Sequence, residues 1–199
     1  MKTNLVRSFG FLALSAVGAC SSVTEAPELG VPKFTCLSNS ATMRLPADLR
    51  ATLPAWGLRQ PDDAYVSISQ SVPGGFAGVF SEDGHLVLTF VDPAAANQAR
   101  SQIQQAFTSR GFGIDVLTAE FRTARWTFAE LDEWYRYIIP RLPGVSWSSS
   151  DIDEKANTLS FGVLDEAERA QLEGQLTSLG VSCNLVTTRI QPRAVIELN

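Results

Sequence analysis

Between Trp126 and Ile190 the sequence marks the boundary of nearly every element it encodes, and this stretch constrains the fold more than any other. Thr127-Phe128-Ala129-Glu130 is a capping box: threonine hydroxyl and glutamate carboxylate satisfy free amides of a first helical turn. Trp126 and Leu131 stand where a hydrophobic staple would. Leu131, Trp134, Tyr135, Ile138 and Leu142 then recur at three- and four-residue steps, an apolar stripe of helical period that must be buried. Pro140 removes a backbone donor, so the regular helix is expected to stop or kink near Ile139, ahead of Pro143-Gly144.

From Gly144 to Asp151 the period changes to two, with Val145 and Trp147 on one face and Ser146, Ser148 and Ser150 on the other. After a turn at Asp153–Asn157, Leu159, Phe161 and Val163 alternate with Thr158, Ser160 and Gly162, which predicts a hairpin with one buried face. A second capping box opens at Asp165 with Glu168; its helix carries Leu172, Leu176 and Leu179 and ends at Gly180, before a strand from about Val181 to Ile190.

Gly113 to Thr123 also alternates, Leu117, Ala119 and Phe121 against Thr118, Glu120 and Arg122, and reads as a strand. The resulting order is strand, helix, strand, strand, helix, strand. The expectation is an α+β fold: an antiparallel sheet with its helices on one face, ferredoxin-like βαββαβ in the C-terminal half.

Upstream, Val66 to Ser69 reads as a short strand, and Phe76–Phe80 with Leu86–Val91 as a hairpin around Ser81–Gly84. Asp92-Pro93 caps a helix with Ala99, Ile103, Ala106 and Phe107 inside, closed by Gly111. Gly74, Gly75 and Gly78 read as turn glycines rather than an anion cradle, because no helix start follows them. Hairpin, helix and strand thus occur twice, with Asp92 and Asp165 at corresponding points, a weak internal duplication joined by the Thr127 helix. The domain plan is 36–64 as an irregular segment with a short helix after Pro46, 65–111 as a hairpin-helix unit, and 112–199 as the ferredoxin-like unit packed with it as one domain.

The first nineteen residues do not belong to that fold. Lys2 and Arg7 form a basic region, and Phe9 to Val17 an apolar run far shorter than the roughly 20 residues a membrane span needs, the pattern of an export signal. Val17-Gly18-Ala19-Cys20 resembles the lipobox of bacterial lipoprotein precursors. The resemblance implies cleavage after 1–19, a diacylglyceryl group on Cys20 and further acylation of the new amino terminus. Two or more chains hold stably, at about 0.8 kcal/mol for each buried methylene. Ser21 after the cysteine resembles the Gram-negative pattern of passage onward to the outer membrane, facing the periplasm. The alternative is an ordinary signal peptide with an incidental cysteine. Residues 20–35, with Pro27, Gly30 and Pro32, read as a tether.

About 180 residues remain after cleavage, enough for a real core. Without Lys2 and Arg7, 14 basic residues face 21 acidic ones, a net charge of −7. That balance, with no cluster of lysines or arginines, argues against nucleic acid and against electrostatic adhesion to anionic lipid. Cys36 and Cys183 are an even remainder in an exported chain, so a disulfide between them is expected. It would close a long loop worth on the order of 4–5 kcal/mol in the chain-entropy model. Two buried apolar thiols are the alternative.

No reactive constellation stands out. His85, the single histidine, sits at a hairpin tip where solvation is its ordinary state, and no Gly-x-Ser-x-Gly elbow accompanies it. One histidine cannot build a multi-histidine zinc site. Asp151, Asp153 and Glu154 resemble a calcium loop only superficially, and Asp165, Glu166 and Glu168 are explained by a helix dipole. No catalytic residue, cofactor or metal ligand is assigned. The candidate partner surface is Ser146, Ser148, Ser150 and Ser160 with Gly162, a flat small-residue strand face; a merely solvated sheet face is the plainer alternative.

Thr127-Phe128-Ala129-Glu130-Leu131 with Trp134, then Asp153-Glu154-Lys155-Ala156-Asn157-Thr158-Leu159 and Gly162-Val163, resemble the propeptides of secreted bacterial serine proteases of the streptogrisin and α-lytic type. That resemblance covers about residues 112–191 and implies ferredoxin-like modules that fold and inhibit a protease. With no protease domain after Asn199, it implies action in trans on a separate protein, a serine protease being the partner class. The function expected is a non-catalytic, lipid-anchored binding module. A cell-envelope hydrolase using acidic residues and a carrier of a small apolar ligand are the alternatives.

Overall fold

The computed structural model describes residues 44–54 and 61–191. Cys20, Cys36, Trp56 and the segments 1–19 and 20–35 lie outside the described residues. Helix α1 (Ala47–Arg50) follows Pro46, and α2 (Asp62–Ser71) follows Pro61. Then come β1 (Phe76–Glu82), β2 (His85–Phe90), α3 (Pro93–Gln98), α4 (Arg100–Thr108) and β3 (Glu120–Thr123). Next are α5 (Phe128–Ile138) with a 3-10 turn at Ile139–Arg141, β4 (Ser149–Asp153), β5 (Thr158–Val163), α6 (Glu166–Ser178) and β6 (Val186–Ile190). None of these helices is long and apolar enough to cross a membrane.

The architecture is α+β, with two three-stranded mixed sheets in the orders β1-β2-β3 and β4-β5-β6. In each, the first two strands form an antiparallel hairpin and the third returns parallel to the second. This corrects the single antiparallel βαββαβ sheet: β3 pairs with β2, not with the strands that follow it. The order of elements is as expected; the pairing differs because a helix between β2 and β3 carries the chain back to the same end, where a parallel neighbour is the nearest partner.

Each sheet belongs to a unit of helix, hairpin, helix, strand. The first runs from 62 to 123 and the second from 128 to 190, 62 and 63 residues long. Asp92 accepts from Ala94 and Ala95 amides at the start of α3, and Asp165 from the Glu168 amide at the start of α6. Gly111 and Gly180 follow those helical segments with φ of 84° and 70°. The repeat includes the leading helices α2 and α5, which pack on each other.

Three local readings change. Val66 to Ser69 is helical: Asp62 and Asp63 occupy the first turn, and Ile68 faces the core with Tyr65 and Val66 packed against it, a helical spacing that outweighs the β-branched residues. Strand β3 is only four residues long. Ahead of it the Arg100 guanidinium donates to the carbonyls of Val116, Leu117 and Ala119, and Gln104 bonds the Val116 amide and the Ile114 carbonyl. Side chains thus satisfy backbone groups that a longer strand would have paired, and Leu117 is left 55% exposed. Finally, β4 begins at Ser149 rather than near Gly144, whose φ of 73° marks a turn.

One core joins both units. Phe76, Phe90, Ile103 and Phe107 of the first meet Phe128, Leu131 and Ile138 of α5, and the cluster continues into Leu159, Phe161, Leu172 and Leu176. Tyr65 stands between them, 5.3 Å from Phe128 edge-on and 5.1 Å from Phe112 in a stacked pair.

Candidate functional site

Alternation along β4 runs from Ile152, which is 4% exposed, and fixes which serines share a face. Ser150 lies opposite Phe161, and its hydroxyl is 2.9 Å from the Tyr135 hydroxyl of α5, so it belongs to the covered side. Ser160 lies opposite Asp151. The expected grouping of Ser146, Ser148, Ser150 and Ser160 is therefore corrected: Ser146 and Ser148 precede the strand, and Ser150 and Ser160 occupy opposite faces. A one-residue slip in register moves every side chain across the sheet, and the core-facing Ile152 sets the register that Trp147 was read to set.

The outer face of the second sheet carries Ser149, Asp151 and Asp153 on β4, Thr158, Ser160 and Gly162 on β5, and Thr187 and Arg189 on β6. Helices α5 and α6 pack on the other side, and no described helix lies on this one. Arg189 reaches Asp153 at 2.9 Å across the face, and Ser149 Oγ lies 2.9 Å from Gln191 Oε1 over Gly162, where a Cβ would collide with both. The surface is polar and made mostly of small side chains, with Arg189 lying across it.

The first sheet's corresponding face is covered. Gly78, Phe80, Val87 and Thr89 share it, and the turn joining β4 to β5 sits on top. A Cβ on Gly78 would fall 2.5 Å from that of Glu154, so glycine is required for this approach. Lys155 makes an ion pair with Glu82 at 2.6 Å, and Arg122 joins Glu82 at 2.5 Å and Glu120 at 2.6 Å. The Lys155 and Arg122 donors hold the Glu82 carboxyl down at about 2. Asn157, with φ 53° and 8% exposed, accepts the Arg125 and Trp126 amides on Oδ1 at 2.8 and 2.7 Å and donates from Nδ2 to the Trp126 carbonyl at 2.9 Å.

Glu154 is shifted as far as Glu82, in the opposite direction. Burial against the first sheet, reinforced by Asp151, Asp62 and Asp153, pushes its carboxyl up to about 7. Tyr65 is raised by its own burial and by Glu154 and Asp62. A carboxyl raised toward neutral pH is a group suited to proton transfer. Composition did not reveal it, because the signal is the Gly78 surface that buries it, 76 residues away in sequence.

His85 is exposed at the start of β2, as its hairpin position suggested. Among the described residues no group of three or more His, Cys, Asp or Glu is placed to hold a metal ion. Cys183 is disulfide-bonded; its expected partner Cys36 lies outside the described residues. No family model matches the chain, and neither a curated protein nor a solved structure matches it.

Proposed function

We propose that the protein is an exported, lipid-anchored binding module of the bacterial cell envelope, held to the membrane through Cys20 and presenting the outer face of β4-β5-β6 to a protein partner. The observation that carries this reading is the asymmetry between the two sheets. The first sheet's outer face is filled by the β4–β5 turn over Gly78 and closed by ion pairs of Glu82 with Arg122 and Lys155; the second's, lined by Ser149, Ser160 and Thr187, has no described helix packed on it. A serine protease is the partner class that the propeptide resemblance nominates.

Two changes test it. Cys20→Ala should move the protein from the membrane fraction to the soluble one. Residues 21–199, with a tag replacing the lipid, should retain one envelope protein in near-equal amount, and Ser160→Lys should lose that protein with thermal stability unchanged. Retention unaffected by Ser160→Lys would remove the face from the proposal.

Glu154 favours a second reading, an envelope hydrolase in which it exchanges protons beside Asp151 and Asp153. A turnover abolished by Glu154→Gln, or by Asp→Asn changes at Asp151 and Asp153, would establish it over the binding module.

A further inference from the structure

The duplication supplies an internal comparison. In the second unit the turn ends at Asn157, immediately before β5; in the first it ends at Gly84, immediately before β2. Both have positive φ, 53° and 79°. Ahead of the third strand, the Asn184 amide donates to the Ser182 hydroxyl, and at the matching point the Leu117 amide donates to the Asp115 carboxylate. Strand pairing gives the same correspondence, since Ser160 lies beside Thr187 and Val87 beside Glu120.

In the second unit the space between these points is taken by Arg125-Trp126. Asn157 holds their backbone, the Trp126 indole Nε1 donates to the Asn184 carbonyl at 3.5 Å, and the Arg125 guanidinium lies 4.9 Å from the Trp126 ring. In the first unit the matching space is, among the described residues, an open cleft of about 450 Å3 between Gly84–Leu86 and the residues Asp115 and Thr118–Glu120. Gly84 has nothing within 4 Å of where a Cβ would stand, so the room that the Asn157 side chain fills in one unit is unfilled in the other. Leu117, at the position of Asn184, is the most exposed large hydrophobic among the described residues. Of the acids in the lining, Glu120 is already paired with Arg122, and Asp115 is the carboxylate that a docked cation would meet.

We infer that this cleft docks an extended segment of a partner protein bearing a basic residue followed by tryptophan, in the way the second unit seats its own Arg125-Trp126. The volume suits a side chain of that size, and an aromatic anchor set in a pocket with a neighbouring cation is the usual centre of such a contact. The inference does not use the outer face of the second sheet, and either can fail without the other.

The probe is a fluorescently labelled peptide with the sequence of residues 122–127, Arg-Thr-Ala-Arg-Trp-Thr, read by anisotropy against residues 21–199 and by amide NMR shifts. Saturable binding is expected, with shifts centred on Gly84, Thr118 and Glu120. Replacing the peptide's tryptophan by alanine, or filling the cleft with His85→Trp, should weaken it about tenfold or more, the effect of losing a tryptophan anchor. Gly84→Asn, which keeps a residue tolerant of positive φ and supplies the amide used in the second unit, should tighten it about tenfold. Ser160→Lys should leave it unchanged. Absence of binding to both wild type and Gly84→Asn, indifference to His85→Trp, or shifts centred on Asn157 and Asn184 would each overturn the inference.

Discussion

Asn157 shows how much one residue can decide. Its backbone sits at φ 53°, which asparagine tolerates, and its amide makes three bonds that tie the β4–β5 turn to the chain entering α5. Asn157→Ala removes the bonds and adds left-handed strain, so a loss of about 3 kcal/mol is expected in urea unfolding; Asn157→Gly relieves the strain and should cost about 1 kcal/mol less. Equal losses for the two variants would mean that φ contributes nothing. Its neighbour Glu154 predicts a pH dependence. Its folded pKa, about 7, lies above the ordinary carboxyl value, so between roughly pH 4.5 and 7 the folded state holds the proton that the unfolded state has released. Stability therefore falls as pH rises through this window, by on the order of 1 kcal/mol once solvent screening of a half-exposed group is allowed for. Glu154→Gln should remove that slope. Glu82, held low by Lys155 and Arg122, acts in the opposite sense: its contribution is present above its unfolded pKa and is lost as the medium becomes more acidic, down toward about 2. An unchanged slope in Glu154→Gln, measured between pH 5 and 7.5, would assign the effect to other groups.

Among the elements, the turn joining β4 and β5 is seated on the first sheet by Gly78. Gly78→Ala would put a Cβ 2.5 Å from that of Glu154 and 3.1 Å from its Cα, both too close, and overpacking of this kind costs on the order of 1–3 kcal/mol. Glu154→Gly, added to Gly78→Ala, should recover part of that loss, and a double-mutant cycle measures the coupling. Additive losses would show that the turn and the strand do not press on one another. The sequence made some of these elements plain and hid others. The Thr127–Glu130 capping box, with both halves of its bonding present, and the Asp83-Gly84 hairpin turn were legible because their chemistry is local. Helix α2 was hidden by Val66 and Ile68, whose shape suits a strand until the spacing of Tyr65, Ile68 and Val72 is weighed against it. The serine face was missed by register: Ser148 and Ser150 alternate correctly, but which side faces the core is decided by Ile152, beyond the stretch that defined the pattern. The burial of Glu154 depends on a glycine in the other unit and has no local signal.

At the scale of the whole molecule, two units with the same topology share one core, from which a single cooperative unfolding transition is expected. Duplication was visible in the paired caps Asp92 and Asp165; strand direction was not, since the order of elements is the same for a four-stranded antiparallel sheet and for two mixed three-stranded ones. Phe128 is where the sharing is sharpest. It belongs to α5 of the second unit, is fully buried, and packs 5.3 Å from Tyr65 and 6.4 Å from Phe76, both of the first. Truncation to alanine removes a ring from a cluster that also includes Phe90 and Phe107, and is expected to cost about 3–5 kcal/mol. If each unit were independently stable, that loss would fall on α5 and its own sheet, leaving amide exchange in β1 and β2 near its wild-type rate. Because the first unit's aromatic cluster is closed by this residue, the slowest-exchanging amides of Val87 and Leu88 should lose protection by the same free energy as those of Leu159 and Phe161. A parallel loss makes the two sheets one folding unit, and the contact that seats α5 on α2 then controls both the covered face of the first sheet and the open face of the second.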